Sequence, residues 1–169
     1  MYIAVIRQFV RTLRALDAIL LKAMQHAEAR RFDANNFCTA RLAPDMLPFT
    51  RQVQIACDAA KRIASALSGK DAPVYPDTEA TMDELRERIA KTLAYLETFT
   101  ADDFAKVTPE TLIPLPNNPA RALLAPDALL ARSVPNFFFH VTTAYALLRA
   151  GGVEVGKRDF LGELPLVDV

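Results

Sequence analysis

A chain of 169 residues, 51% of them hydrophobic, has the material for one domain with a sizeable core, and we read residues 1–169 as that single domain. Its 20 basic and 20 acidic side chains cancel, which leaves no global field to draw in nucleic acid or an anionic membrane. No apolar run reaches the roughly 18–20 residues of a membrane span, and the Ala- and Leu-rich, Trp-free composition favours helix over strand.

The N-terminus, MYIAVIRQFVRTLRALDAILL, has the look of a signal peptide, but Arg7, Arg11, Arg14 and Asp17 interrupt it at helical intervals. Ile6, Phe9, Leu13, Leu16, Leu20 and Ala23 form one stripe and predict an amphipathic helix over Tyr2–Ala29. His26 lies near its C-terminal end, where the helix dipole favours a partly exposed histidine. Asp33, Asn35 and Asn36 mark a turn around a short helical segment at Phe37–Ala40. A second helix is predicted over Asp45–Ser68, started by Pro44, Asp45 and Pro48 and stopped by Gly69. Cys57 sits beside its apolar stripe, as a small core residue or, with a nearby cation, a reactive thiol. Cys38 and Cys57 lack metal-type spacing, so both are expected free in a reduced, cytoplasmic protein.

After the proline-containing Lys70–Asp77 linker, Thr81-Met82-Asp83-Glu84 reads as a capping box that opens a third helix, Met82–Phe99. Glu84 and Arg88 are spaced for a surface i,i+4 pair. Thr100-Ala101-Asp102-Asp103-Phe104 looks like another short helical start. The next stretch, Lys106–Ala125, holds four prolines, too many for a long helix. Thr111–Leu115 and Arg121–Leu124 flank Pro-Asn-Asn-Pro and suggest a small hairpin. The last long helix is predicted over Asp127–Ala150, kinked or briefly broken at Pro135 and stopped by Gly151-Gly152. A turn then carries Phe160 and Leu161 back onto the bundle. No Gly-rich phosphate loop occurs, and Lys157-Arg158 is too short for an anion site.

Chemistry-bearing residues concentrate on that last helix. Asn136, His140 and Thr143 fall within about 60° of one another at 100° per residue, beside an apolar stripe of Phe137, Val141, Ala144 and Leu148. Burial lowers the pKa of such a histidine and favours neutral imidazole. His140 is then either a core group satisfied by hydrogen bonds or a member of a pocket with Asn136, Thr143 and Tyr145.

RLAPDMLPFTRQVQIACDAAKR, PNFFFHVTTAYALLRAGGVEVGK and RDFLG together resemble an uncharacterised bacterial domain-of-unknown-function family, similar to the DinB/YfiT-like four-helix bundles. That resemblance implies an all-α, DinB-like four-helix bundle with a long connection before the last helix. DinB-like proteins often hold a divalent metal with three histidines, two of them an H-x-x-x-H pair before a Leu-Arg-x-x-Gly ending. Setting Leu148-Arg149-Ala150-Gly151-Gly152 on that ending puts His140 on the second histidine and Asn136 on the first. The third ligand would come from the second helix, where Gln52 and Gln54 are the nearest polar residues, or from His26 if it lay level with His140. One imidazole with carboxamides is a poor set for zinc or nickel, so no metal and no cofactor is expected.

Two function classes remain. The first is a non-catalytic helical module that binds a small ligand or forms a homodimer. The second is a metal- or thiol-dependent transferase or isomerase with an eroded metal site, using His140, Asn136 and Tyr145. The sequence carries no nucleophile–base pair or paired carboxylates, which favours the first.

Overall fold

A computed structural model describes residues 1–167 and places four longer helices in one bundle: α1 Tyr2–Arg30, α2 Phe49–Ser68, α3 Met82–Leu96 and α5 Val134–Ala150. Short 3-10 segments lie at Asp102–Phe104 and at Ala34–Thr39, the latter starting three residues before the predicted Phe37–Ala40 because Asp33 caps it by accepting from the Asn35 amide. The α1 stripe from Ile6 to Ala23 is buried along its length, and so are Phe137, Val141, Ala144 and Leu148 of α5. The two stripes meet where Phe9 and Phe137 pack with ring centroids 4.4 Å apart.

Helix α2 begins at Phe49, four residues after the predicted start at Asp45. Pro48 has extended backbone, φ −70° and ψ 166°, and a proline pushes the residue before it out of the helical region, so the turn at Asp45 cannot run on into the helix. Gly69 ends α2 with φ 76°, the left-handed geometry a glycine adopts without penalty. The capping box of α3 forms: Thr81 Oγ1 accepts from the Glu84 amide at 3.2 Å, and Glu84 Oε2 accepts from the Thr81 amide at 2.9 Å. This helix ends at Leu96 rather than Phe99. The Thr98 and Phe99 amides reach back three residues to Tyr95 and Leu96, which tightens the turn and lets Phe99 stack on Phe104.

The hairpin pairs β1, Leu112–Leu115, with β2, Asn118–Leu124. β2 starts earlier than predicted and includes Pro119, which a strand with one open edge tolerates. A single turn, α4 Ala125–Asp127, leads into a π-helical stretch, Ala128–Ser133, and then α5. The break predicted at Pro135 is this widened turn. An α-helical turn would drive the Pro135 ring against the carbonyl of Ala131, and π geometry relieves that clash. After Gly152, the segment predicted as a turn forms a short helix, α6 Lys157–Leu161, tied to α1 by the Lys22–Asp159 pair at 2.5 Å. Phe160 packs edge-on against Tyr145, but Leu161 stays exposed.

Arg88 departs most from its predicted role. It does not pair with Glu84, whose carboxylate is taken by the Ala80 and Thr81 amides. It is instead 2% exposed, with Nη2 at 3.0 Å from both Asp58 and Asp77 and Nη1 at 3.0 Å from Glu79. The side chain thereby joins α3 to α2 and to the linker between them. Removing a buried charge leaves its partners uncompensated, so Arg88→Ala should cost about 3–5 kcal/mol in urea unfolding. Arg86→Ala, which breaks the half-exposed pair with Asp17, should cost no more than ~1 kcal/mol. Equal losses would contradict the assignment.

Candidate functional site

The residues predicted to share one site divide between the interior and two separate surfaces. His140 and Gln52 do come together: His140 Nδ1 lies 2.7 Å from Gln52 Oε1, and both side chains are buried between α5 and α2. Gln52 Nε2 donates to the Leu47 carbonyl at 2.9 Å, which fixes its amide with the oxygen toward the ring. His140 is therefore the donor and carries its proton on Nδ1. Burial holds its pKa below the ordinary value, so the ring is a neutral imidazole.

Asn136, one turn earlier, is exposed and lines a cleft of about 180 Å³ under the hairpin. Ile55 and Ile63 of α2 with Ile113 and Leu123 of the hairpin form its apolar walls. Three guanidinium groups stand around it, Arg51 and Arg62 from α2 and Arg132 from the π-helical turn. Arg51 pairs with Asp77 and Arg62 with Asp58, the two carboxylates that also bind Arg88. Burial alone would raise the Asp77 pKa, but the hydrogen bond and charge of Arg51, and then of Arg88, hold it below its ordinary value.

Thr143 and Tyr145 face elsewhere. Thr143 Oγ1 donates to the Phe139 carbonyl at 2.7 Å, and the residue borders an apolar hollow with Leu42, Phe138, Phe139 and Ala146. Tyr145 donates to the Val155 carbonyl at 3.3 Å. Gln54 is buried and doubly engaged, accepting from Arg51 and donating to Glu79, each at 2.7 Å. His26 packs against Phe32 near Gly152, roughly 18 Å along the helix from His140 at 1.5 Å per residue, and does not lie level with it. Both cysteines are free and buried. Burial pushes the Cys57 thiol up to about 12, so the nearby Arg88 and Lys61 do not make it a reactive thiolate.

These donors do not fit a transition metal. The Gln52 and Gln54 oxygens already accept hydrogen bonds, and Asn136 is exposed at the cleft while His140, one turn on, is buried. Among the described residues no three His, Cys, Asp or Glu side chains cluster as a metal site requires.

The cleft arginines were the residues that sequence reasoning missed. Arg51, Ile55, Asp58 and Arg62 recur at three- and four-residue steps, a second stripe on α2 that could have been noticed. What it faces depends on where the hairpin folds.

His140 also generates a pH dependence. Unfolding returns its pKa toward 6.5, so the unfolded chain binds more protons below that pH and stability falls as the solution is acidified. His140→Ala should lose about 1–3 kcal/mol at neutral pH, because Gln52 Oε1 is left buried without its donor. It should also lose less further stability than the unsubstituted protein between about pH 7.5 and about pH 5.5. Unfolding curves at the two pH values check this; identical acid losses would contradict it.

Three comparisons bear on identity. No curated protein matches the chain. A crystal structure of a DinB family member protein from Shewanella denitrificans is 42% identical, superposes with a TM-score of 0.92, and aligns over 97% of this chain and 93% of that one. Residues 1–161 match the family model for a domain of unknown function, DUF1993. The chain belongs to the DUF1993 family, with the helical bundle of its DinB family neighbour.

Proposed function

We propose that the protein is a non-catalytic helical module that binds a small ligand in the cleft between α2, the hairpin and the π-helical turn. The observation that carries this is the division of polar groups along the last helix. His140, the group best suited to chemistry, is held by Gln52 in the interior, whereas Asn136 stands with Arg51, Arg62 and Arg132 around an open, apolar-walled space. The thiol- or metal-dependent transferase alternative needs His140 and Asn136 to act on one substrate, and the burial of His140 on Gln52 while Asn136 stands exposed one turn away counts against it. The two free, buried thiols suit the cytoplasm, where we place the protein. Amide shift mapping with a small-fragment library tests the binding. Shifts should gather at Ile55, Ile113, Arg132 and Asn136; a map confined to other surfaces, or turnover of thiol cosubstrates lost in His140→Ala, would contradict it.

A homodimer is a second reading, supported by a different surface. Phe139 is 57% exposed and Leu42 46% exposed, and with Phe138 and Ala146 they form an apolar hollow on the outer side of α5. Closed two-fold pairs are the commonest way to cover such a surface. Light scattering should give a dimer mass that Phe139→Ser converts to monomer. A monomer throughout the micromolar range would overturn this.

A further inference from the structure

We infer that the ligand of the cleft is a small organic carboxylate, its charged end at Arg132 and Asn136 and its hydrocarbon body between the isoleucines. This rests on the cleft being a binding site and adds the chemical class of what binds.

Size sets the first limit. A cavity of about 180 Å³ is close to the engineered cavity of about 150 Å³ that takes up benzene, and below the ~300–1,000 Å³ of sites for larger ligands. A single ring or a short acyl chain fits within it. The walls set the second limit. Ile55, Ile63, Ile113 and Leu123 offer hydrocarbon on both the helix and hairpin sides, so a bare inorganic anion would leave them without a partner.

Charge sets the third. Arg51, Lys61, Arg62 and Arg88 share three carboxylates, Asp58, Asp77 and Glu79. Arg88 is buried against all three, so it draws negative charge away from the cleft. Arg132 adds a fifth cation and has no carboxylate partner among the described residues. Ser133, beside it, donates its hydroxyl proton to the Ala128 carbonyl at 2.8 Å and so has none to offer an anion. Asn136, one turn on, supplies an amide at the same rim. A guanidinium pairs best with a planar, two-oxygen anion, and the carboxylate is the planar one that also carries a hydrocarbon body.

Titration calorimetry with three probes tests this on the full chain: benzoate, benzyl alcohol of the same body without the charge, and inorganic phosphate with charge but no body. Benzoate should saturate one site. Benzyl alcohol and phosphate should each bind about tenfold more weakly or worse, and Arg132→Gln should weaken benzoate by about tenfold, the loss expected for one hydrogen bond to a charged group. Arg132 is exposed, so the variant should keep the unsubstituted melting temperature, and the weakening then reports the site rather than the fold. Equal affinity for benzoate and benzyl alcohol at the cleft would overturn the carboxylate and leave the binding cleft standing. Phosphate binding as tightly as benzoate, or an Arg132→Gln variant unchanged toward benzoate, would also overturn it. Should no probe and no fragment shift the cleft residues, the cleft itself falls as a site.

Discussion

The Arg88 guanidinium, buried against Asp58, Asp77 and Glu79, is the contact on which the other polar arrangements depend. It holds α3 to α2 at Asp58 and pins the linker through Asp77, Glu79 and the Pro76 carbonyl. A charge so deeply placed is tolerable only when paired, and the Nη groups of Arg88 take their partners from the linker as well as from α2, although its Nε is buried without one. Tyr75 adds to the same cluster, its ring 4.0 Å from the Lys61 ammonium. The consequence reaches the surface. Asp58 and Asp77 border the cleft, but each is shared with Arg88, so the guanidinium groups of Arg51 and Arg62 are less than fully neutralised.

The last helix divides its polar residues in a related way. The π-helical stretch Ala128–Ser133 accommodates Pro135 and brings Arg132 to the cleft beside Asn136. Widened turns of this kind recur at functional sites. One turn later the helix presents His140 to Gln52 in the core, where the pair joins α5 to α2 by a single hydrogen bond. The bundle thus holds its one buried imidazole on Gln52 and leaves an amide and guanidinium groups at the opening.

Much of the bundle could be read from residue order alone. The α1 and α5 stripes, the Thr81–Glu84 box, the Gly69 stop and the hairpin around Pro-Asn-Asn-Pro are local signals, set by neighbours within four residues or so. The exceptions depend on distant partners. Arg88 has the spacing of a surface helix pair, and nothing within its own helix reveals that Asp58, thirty residues earlier, and the linker carboxylates draw it inside. The start of α2 is instead a local exception: Pro44, Asp45 and Pro48 are all opening signals, and Pro48 is the one that sets the start at Phe49. At the site, Gln52 and His140 could be paired by the resemblance to a ligand set, but that Asn136, one turn earlier, would line a cleft with Arg132 depends on the π turn and the hairpin above it.

The central claim is that the working surface is the arginine-rimmed cleft and that His140 belongs to the core. A crystal structure of the protein grown with benzoate tests it most directly. Density for the ring between Ile55 and Ile113, with its carboxylate on Arg132 and the His140–Gln52 hydrogen bond intact, is the predicted result. Density at His140 with that hydrogen bond broken and the cleft empty would contradict it.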